Sequence, residues 1–293
     1  NMIKSMTGFG RCESHQGDRK FTVEIKAVNH RYFDVSIKLP KKFSFFEPAI
    51  RNLLKQYVQR GKVDVFITYE DFSNGNTALK YNENLAAEYL KNFRKMADTF
   101  GLEDDIRVSV LGRCPEVLVM EEQEIDEQEI WALMDKALDG ACTQLVQSRA
   151  REGEALKADL LEKLQKMEEN VTLIEERYPA IVEEYRMKLE EKVKELLADS
   201  QIEDGRIAAE VILFADKICT DEETVRLKSH ISTMQASLNE GGTVGRKLDF
   251  IAQEMNREAN TILSKANDLA TSNIAIDLKT EIERLREQIQ NIE

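Results

Sequence analysis

No proline occurs between Glu127 and Pro179, while Leu156, Leu160, Leu164, Met167, Val171 and Ile174 recur at spacings of three and four. One apolar stripe wound at 3.6 residues per turn over that length specifies a long amphipathic helix, whose stripe must lie against other helices. Ile181, Tyr185, Leu189, Val193 and Leu196 resume the spacing beyond Pro179. The proline lacks a backbone donor, so a kink or a restart is expected there. The next polar stretch, Ser200 to Asp204, is expected to turn the chain. Arg206 to Leu238 then reads as helix, and Glu240 to Thr243, with two glycines, as a break.

The first part of the chain has a different period. Phe21 to Ala27, Phe33 to Leu39 and Val63 to Tyr69 alternate apolar and polar residues, the pattern of half-buried strands. The first two are expected to pair antiparallel through a tight connection at Val28 to Tyr32, where Asn29 and His30 suit a turn and Arg31 projects. Phe43 to Arg60 reads as a helix with Phe46, Ile50, Leu53, Leu54, Tyr57 and Val58 buried, stopped by Gly61. Ser73 to Thr77 reads as a loop. Asn82 to Phe100 reads as a second helix with Leu85, Tyr89, Phe93 and Met96 inward and Gly101 as cap; Ile106 to Leu111 reads as short and extended. The expected fold is α+β: an N-terminal antiparallel sheet with helices over residues 2–125, a long helical arm over 126–200, and a helical C-terminal domain over 201–293, the helical part being coiled-coil-like.

At 293 residues with 42% hydrophobic content, the chain can bury two cores. No apolar run approaches the ~18 residues of a membrane span, and the start lacks the apolar core of a secretion signal, so no membrane partner and a cytoplasmic setting are expected. Cys12, Cys114, Cys142 and Cys219 have no paired spacing, which argues against a zinc site or disulfide framework. The net charge of -13 is unevenly spread: residues 1–72 hold 13 Lys plus Arg against 8 Asp plus Glu, a net of +5 that leaves -18 for the rest. That asymmetry suits a localised anionic ligand.

Gly245 to Lys265 carries the most unusual pattern. Leu248, Ala252, Met255, Ala259, Ile262 and Ala266 make a core stripe, while Asp249, Gln253, Asn256, Asn260, Ser264 and Asn267 form a ladder beside Glu254, Glu258, Thr261, Lys265 and Asp268. Asn, Ser and Thr are poor residues for a merely solvated helix. The ladder either packs against another polar helix or lines a site. Glu254 and Glu258, one turn apart, can hold a divalent cation, and Arg257 and Lys265 can neutralise phosphate. Upstream, Glu223, Arg226 and His230 share a helix face through spacings of three and four, an arrangement able to hold a phosphate and move a proton. His15 is expected in a polar loop and matches nothing.

Ser5-Met-Thr-Gly-Phe9, Val28-Asn-His-Arg-Tyr-Phe-Asp34, Arg60-Gly-Lys-Val63, Gly245-Arg-Lys-Leu-Asp-Phe250, Gln253 to Thr261, Ser264-Lys265 and Glu281 to Glu293 together resemble, in order and across the chain, the bacterial YicC/YloC family. The resemblance implies a metal-dependent endoribonuclease acting on single-stranded RNA, assembled as a homo-oligomer, a hexamer, with Mn2+ or Mg2+. For that activity the spacings above nominate His230, Glu223, Glu254 and Glu258 as catalytic, with Glu254 and Glu258 on the metal. His30, Arg31, Arg226, Arg246, Asn256, Arg257, Asn260 and Lys265 then bind RNA. Two routes stay open: metal-assisted hydrolysis, or attack by the ribose 2′-hydroxyl deprotonated by His230 or His30. A protein that binds RNA without cutting it, as a scaffold recruiting another nuclease, fits the same residues.

Overall fold

Alternation places Phe21, Val23, Ile25 and Ala27 on one face of a sheet with Val63, Val65 and Ile67, and all are buried in the computed structural model, which describes residues 2–72, 77–122, 126–197 and 204–293. The sheet contains β1 (Gly8–Gln16), β2 (Arg19–Val28), β3 (Phe33–Lys38) and β4 (Gly61–Asp71), in the spatial order β1-β2-β4-β3. The expected pairing of β2 with β3 does not form. β4 lies between them, antiparallel to β2 with Phe21 opposite Tyr69, and parallel to β3 with Val35 opposite Val63. The sheet is therefore mixed, and Asn29 to Tyr32 is a bridge across the start of β4 rather than a tight turn. Two strand spacings amount to ~10 Å, within the reach of four extended residues.

The parallel β3 and β4 need a crossover. A 3-10 segment, Lys41–Phe46, and α1 (Glu47–Tyr57) supply it, so the single helix expected from Phe43 to Arg60 is split and ends earlier, where Val58 becomes extended. Strand β1 lacks the apolar alternation of its neighbours because Gly8, Gly10, Cys12 and Ser14 occupy its inner positions. A Cβ on Gly10 would come 2.0 Å from the Ala141 carbonyl oxygen, so the strand rests directly on a helix. His15 belongs to this strand, opposite Lys20, and not to a loop.

A smaller unit follows: β5 (Thr77–Tyr81), α2 (Glu83–Phe100), α3 (Val108–Leu111) and β6 (Leu118–Glu122), with β5 and β6 antiparallel. The Asn82 side chain accepts from the Leu85 amide at 3.2 Å, and Gly101 closes α2 at φ 65°. The inward face expected for α2 is only partly covered: Leu85, Tyr89 and Phe93 are half-buried, Ala86 is buried, and Met96 is 52% exposed. The stretch expected to be extended contains the single helical turn α3. The loop expected at Ser73 to Thr77 falls mostly outside the described residues.

Helix α4 (Glu127–Leu197) runs 71 residues, ~105 Å at 1.5 Å per residue, and continues through Pro179. Tyr178 beside the proline donates its hydroxyl to the Ala215 carbonyl at 2.8 Å. The start of α4, from Ile130 to Leu145, completes the sheet core. Its middle packs with α6 (Asp221–Glu240), α7 (Gly245–Lys265) and α8 (Leu269–Ile289) around Leu164, Met167, Leu227, Met234, Met255 and Ile282. Its far end meets α5 (Asp204–Ile218), where Tyr185 and Phe214 stack at 3.7 Å between centroids. The single helix expected from Arg206 to Leu238 is interrupted at Cys219 and Thr220; the turn expected from Ser200 falls outside the described residues until Asp204.

The chain ends meet on the bundle. Ile3 is wholly buried there, and Ser5 pairs with Ile292. Arg149 of α4, 1% exposed, donates to the Ser5 carbonyl at 2.6 Å and to Glu293 at 3.0 Å. No helix among the described residues is long and apolar enough to cross a membrane.

Candidate active site

Helices α6 and α7 bury Leu227, Ile231 and Met234 against Leu248, Ala252 and Met255. Residues three or four positions along from those apolar contacts are carried to the edge of the helix pair. Glu223, Arg226, Ser229 and His230 of α6 thereby face Glu254, Arg257, Glu258 and Thr261 of α7 across a groove of about 510 Å³. The catalytic residues expected from the sequence lie in one place.

The groove has a committed layer and an uncommitted one. Glu223 is 7% exposed, and one of its oxygens accepts from Lys265 Nζ at 2.9 Å; the other is buried with no partner. Lys265 also donates to the Cys219 carbonyl at 3.0 Å. Glu258, likewise 7% exposed, lies 3.9 Å from the Arg226 guanidinium, which forms a closer pair with Glu222 at 2.8 Å. By contrast, the side chains of Glu254, Arg257 and His230 make no hydrogen bond or ion pair among the described residues. A carboxylate, a guanidinium and an imidazole thus stand free over a fixed ionic floor. Such a set can bind a phosphodiester and transfer protons on either side of it.

Other expected residues are elsewhere. Arg31 and Arg246 line a separate cleft at the N-terminal end of α7, with Arg246 ~12 Å along the helix from Glu254. His30 lines neither; its Nδ1 lies 3.1 Å from the Tyr32 carbonyl, a contact within its own loop. Asn256 and Asn260 do not line the groove, although the Asn256 side-chain oxygen is buried without a partner. The amide ladder is not one surface: Gln253 donates to Asp249 at 2.9 Å, and Ser264 to the Thr261 carbonyl at 2.8 Å. Asn267 and Asp268 leave the row because α7 ends at Lys265, and Asp268 caps α8. Ser229 also lines the groove and Arg60 the separate cleft; as an ordinary helical serine and an arginine before a glycine, neither carries a sequence signal of its own.

Among the described residues, no three His, Cys, Asp or Glu side chains are grouped closely enough to hold a metal ion. Glu254 and Glu258 remain one turn apart on the groove wall. Two carboxylates, with phosphate oxygens and water completing the shell, meet the usual demand of Mg2+.

Comparison with known proteins covers the whole chain. The family described as Endoribonuclease YicC-like, N-terminal region matches residues 3–158, and Endoribonuclease YicC-like, C-terminal matches residues 174–293. A protein of Clostridioides difficile (strain 630) named probable endoribonuclease YicC is 40% identical over 293 residues, covering all of both chains. A protein of the same name from Haemophilus influenzae is 33% identical over 294 residues, again covering all of both. Matched along both halves and over its full length, the chain belongs to the YicC-like endoribonuclease family.

Proposed function

We propose that the chain is an endoribonuclease that cuts single-stranded RNA in the groove between α6 and α7, with a divalent cation and as a homo-oligomer. The observation that carries this reading is the free trio of Glu254, Arg257 and His230 above the Lys265–Glu223 pair. Arg257 and the exposed side of Arg226 hold the scissile phosphate and offset the charge that builds on its oxygens. Glu254 accepts the proton of the attacking oxygen, and His230 delivers one to the leaving oxygen, each group being free to reach its target. The ionic floor keeps α6 and α7 in register so that these three groups converge.

Glu254 and Glu258 are the residues that would hold Mn2+ or Mg2+. A cation there supplies Lewis-acid polarisation of the phosphate and a more acidic bound water. The relatives' names, and the family to which the chain belongs, support RNA as the substrate. Exposed Leu79, Tyr81, Val108, Leu118 and Met120 on the small unit built from β5, β6, α2 and α3 support self-association, because a monomer rarely leaves such a set in water.

The test is product analysis with highly purified protein on single-stranded RNA under Mg2+, Mn2+ and chelator. Cleavage that requires metal and leaves 5′-phosphate ends is expected. Cleavage that persists in chelator with 2′,3′-cyclic ends would replace the metal with the 2′-hydroxyl route through His230. RNA bound and never cut would return the chain to the scaffold role.

A further inference from the structure

A cleft of about 720 Å³ opens between the bridge Asn29 to Tyr32 and the N-terminal end of α7, and the groove chemistry above makes no use of it. Its form follows from the sheet order. Because β4 starts beneath the bridge, Arg60, just before β4, is brought beside Arg31; Arg60 Nε donates to the His30 carbonyl at 3.3 Å. The Asn29 side chain donates to the Gln290 carbonyl at 2.9 Å, fixing the bridge against the end of α8. Arg246 faces them from the first turn of α7.

The charge balance in this cleft is one-sided. Arg31, Arg60 and Arg246 have no carboxylate partner among the described residues. The two acidic groups that line it are each engaged by another cation: Asp249 by Arg286 at 3.4 Å, and Glu293 by the buried Arg149 at 3.0 Å. The first turn of α7 holds no acidic residue, and no side chain caps it, so its amides add positive potential to the guanidiniums. Three unpaired arginines converging on one cavity have the donor geometry that phosphate oxygens satisfy.

We infer that this cleft is a second phosphate site for the RNA strand, with Arg60 and Arg246 as its main contacts, anchoring the substrate ~12 Å along α7 from the cutting groove. The inference rests on the endoribonuclease reading for its ligand. A strand held at both places lies along α7 and presents one defined phosphate to Glu254 and His230. The phosphate in the cleft is either the 5′ end of the strand or an internal diester.

The experiment measures binding of 3′-labelled single-stranded RNA in chelator by fluorescence anisotropy over a range of salt. Substituting Arg60→Gln together with Arg246→Gln should weaken binding about tenfold and reduce the slope of log affinity against log salt by about 0.7, the contribution of one neutralised single-strand phosphate. The pair Arg60→Lys and Arg246→Lys should retain most of the slope. Inorganic pyrophosphate should raise the Tm of the unsubstituted protein and not that of the glutamine pair. Preference for a 5′-phosphorylated over a 5′-hydroxyl strand assigns the cleft to the end; equal binding assigns it to an internal diester. Unchanged affinity and slope in the glutamine pair, or no response of the unsubstituted protein to pyrophosphate, would overturn the inference. If RNA is bound through these arginines and never cut, the second site stands and the endoribonuclease reading falls. If RNA is cut and the glutamine pair binds it normally, only the second site falls.

Discussion

Lys265, the last residue of α7, donates to Glu223 in the first turn of α6 at 2.9 Å and leaves the other Glu223 oxygen buried and unpartnered. The lysine thus ties the C-terminal end of α7 to the first turn of α6 at one end of the groove. Replacing it with methionine keeps the aliphatic stem and strands a buried carboxylate. Lys265→Met should lower stability by ~2 kcal/mol in urea unfolding, the order expected for a buried charged group left without its partner. Lys265→Arg should cost less. A methionine variant as stable as the parent would show that the pair does not hold the groove together.

Asp268 provides a pH-dependent check on the same end of the bundle. Burial opposes its charge, yet hydrogen bonds from Thr271 and from Arg177, whose Nε lies at 2.6 Å, prevail and hold the carboxyl below the usual carboxylate range. A carboxyl with a folded pKa below its unfolded value of ~3.9 contributes stability that is present above that value and lost as pH falls through the folded pKa. Asp268→Asn keeps an N-cap acceptor for α8 and removes the charge. The stability gap between parent and variant should stay level from about pH 7 to 5, then close below about pH 4. A gap that persists unchanged at the acid end would contradict this.

Arg149 joins the two ends of the chain through the Ser5 carbonyl and Glu293. Its guanidinium is almost wholly buried, so removing the carboxylate leaves a charge with half its partners. Glu293→Gln should lower the unfolding free energy by ~1 to 3 kcal/mol, and Arg149→Leu should cost at least as much because Gly8 packs against the arginine stem, where an added Cβ would come within 2.6 Å. Urea unfolding of both variants measures this, and an unchanged midpoint in Glu293→Gln would remove the clamp from the account.

Periodicity made the helical half legible. Leu248, Ala252, Met255, Ala259 and Ile262 are all buried as the stripe requires, and the acidic and basic residues of α6 and α7 meet because three-four spacing fixes helix faces whatever the partner. What it does not carry is which strand lies next to which. The β2 and β3 alternation is real, but the insertion of β4 between them depends on contacts distant in sequence. The position of Arg60 beside Arg31 depends on that insertion and was illegible for the same reason. Glu258 shows the remaining limit: the pattern marks it polar, and only the packing of α6 on α7 buries it.

The roles proposed for Glu254 and His230 have both acting on RNA from facing helices. Their most direct measurement is the single-turnover cleavage rate of single-stranded RNA by the purified parent and by Glu254→Ala and His230→Ala, with Mn2+ or Mg2+ present and folding verified by circular dichroism. Cleavage by the parent and a loss of about 10²-fold or more in each variant are expected. Equal rates in all three proteins would contradict those roles.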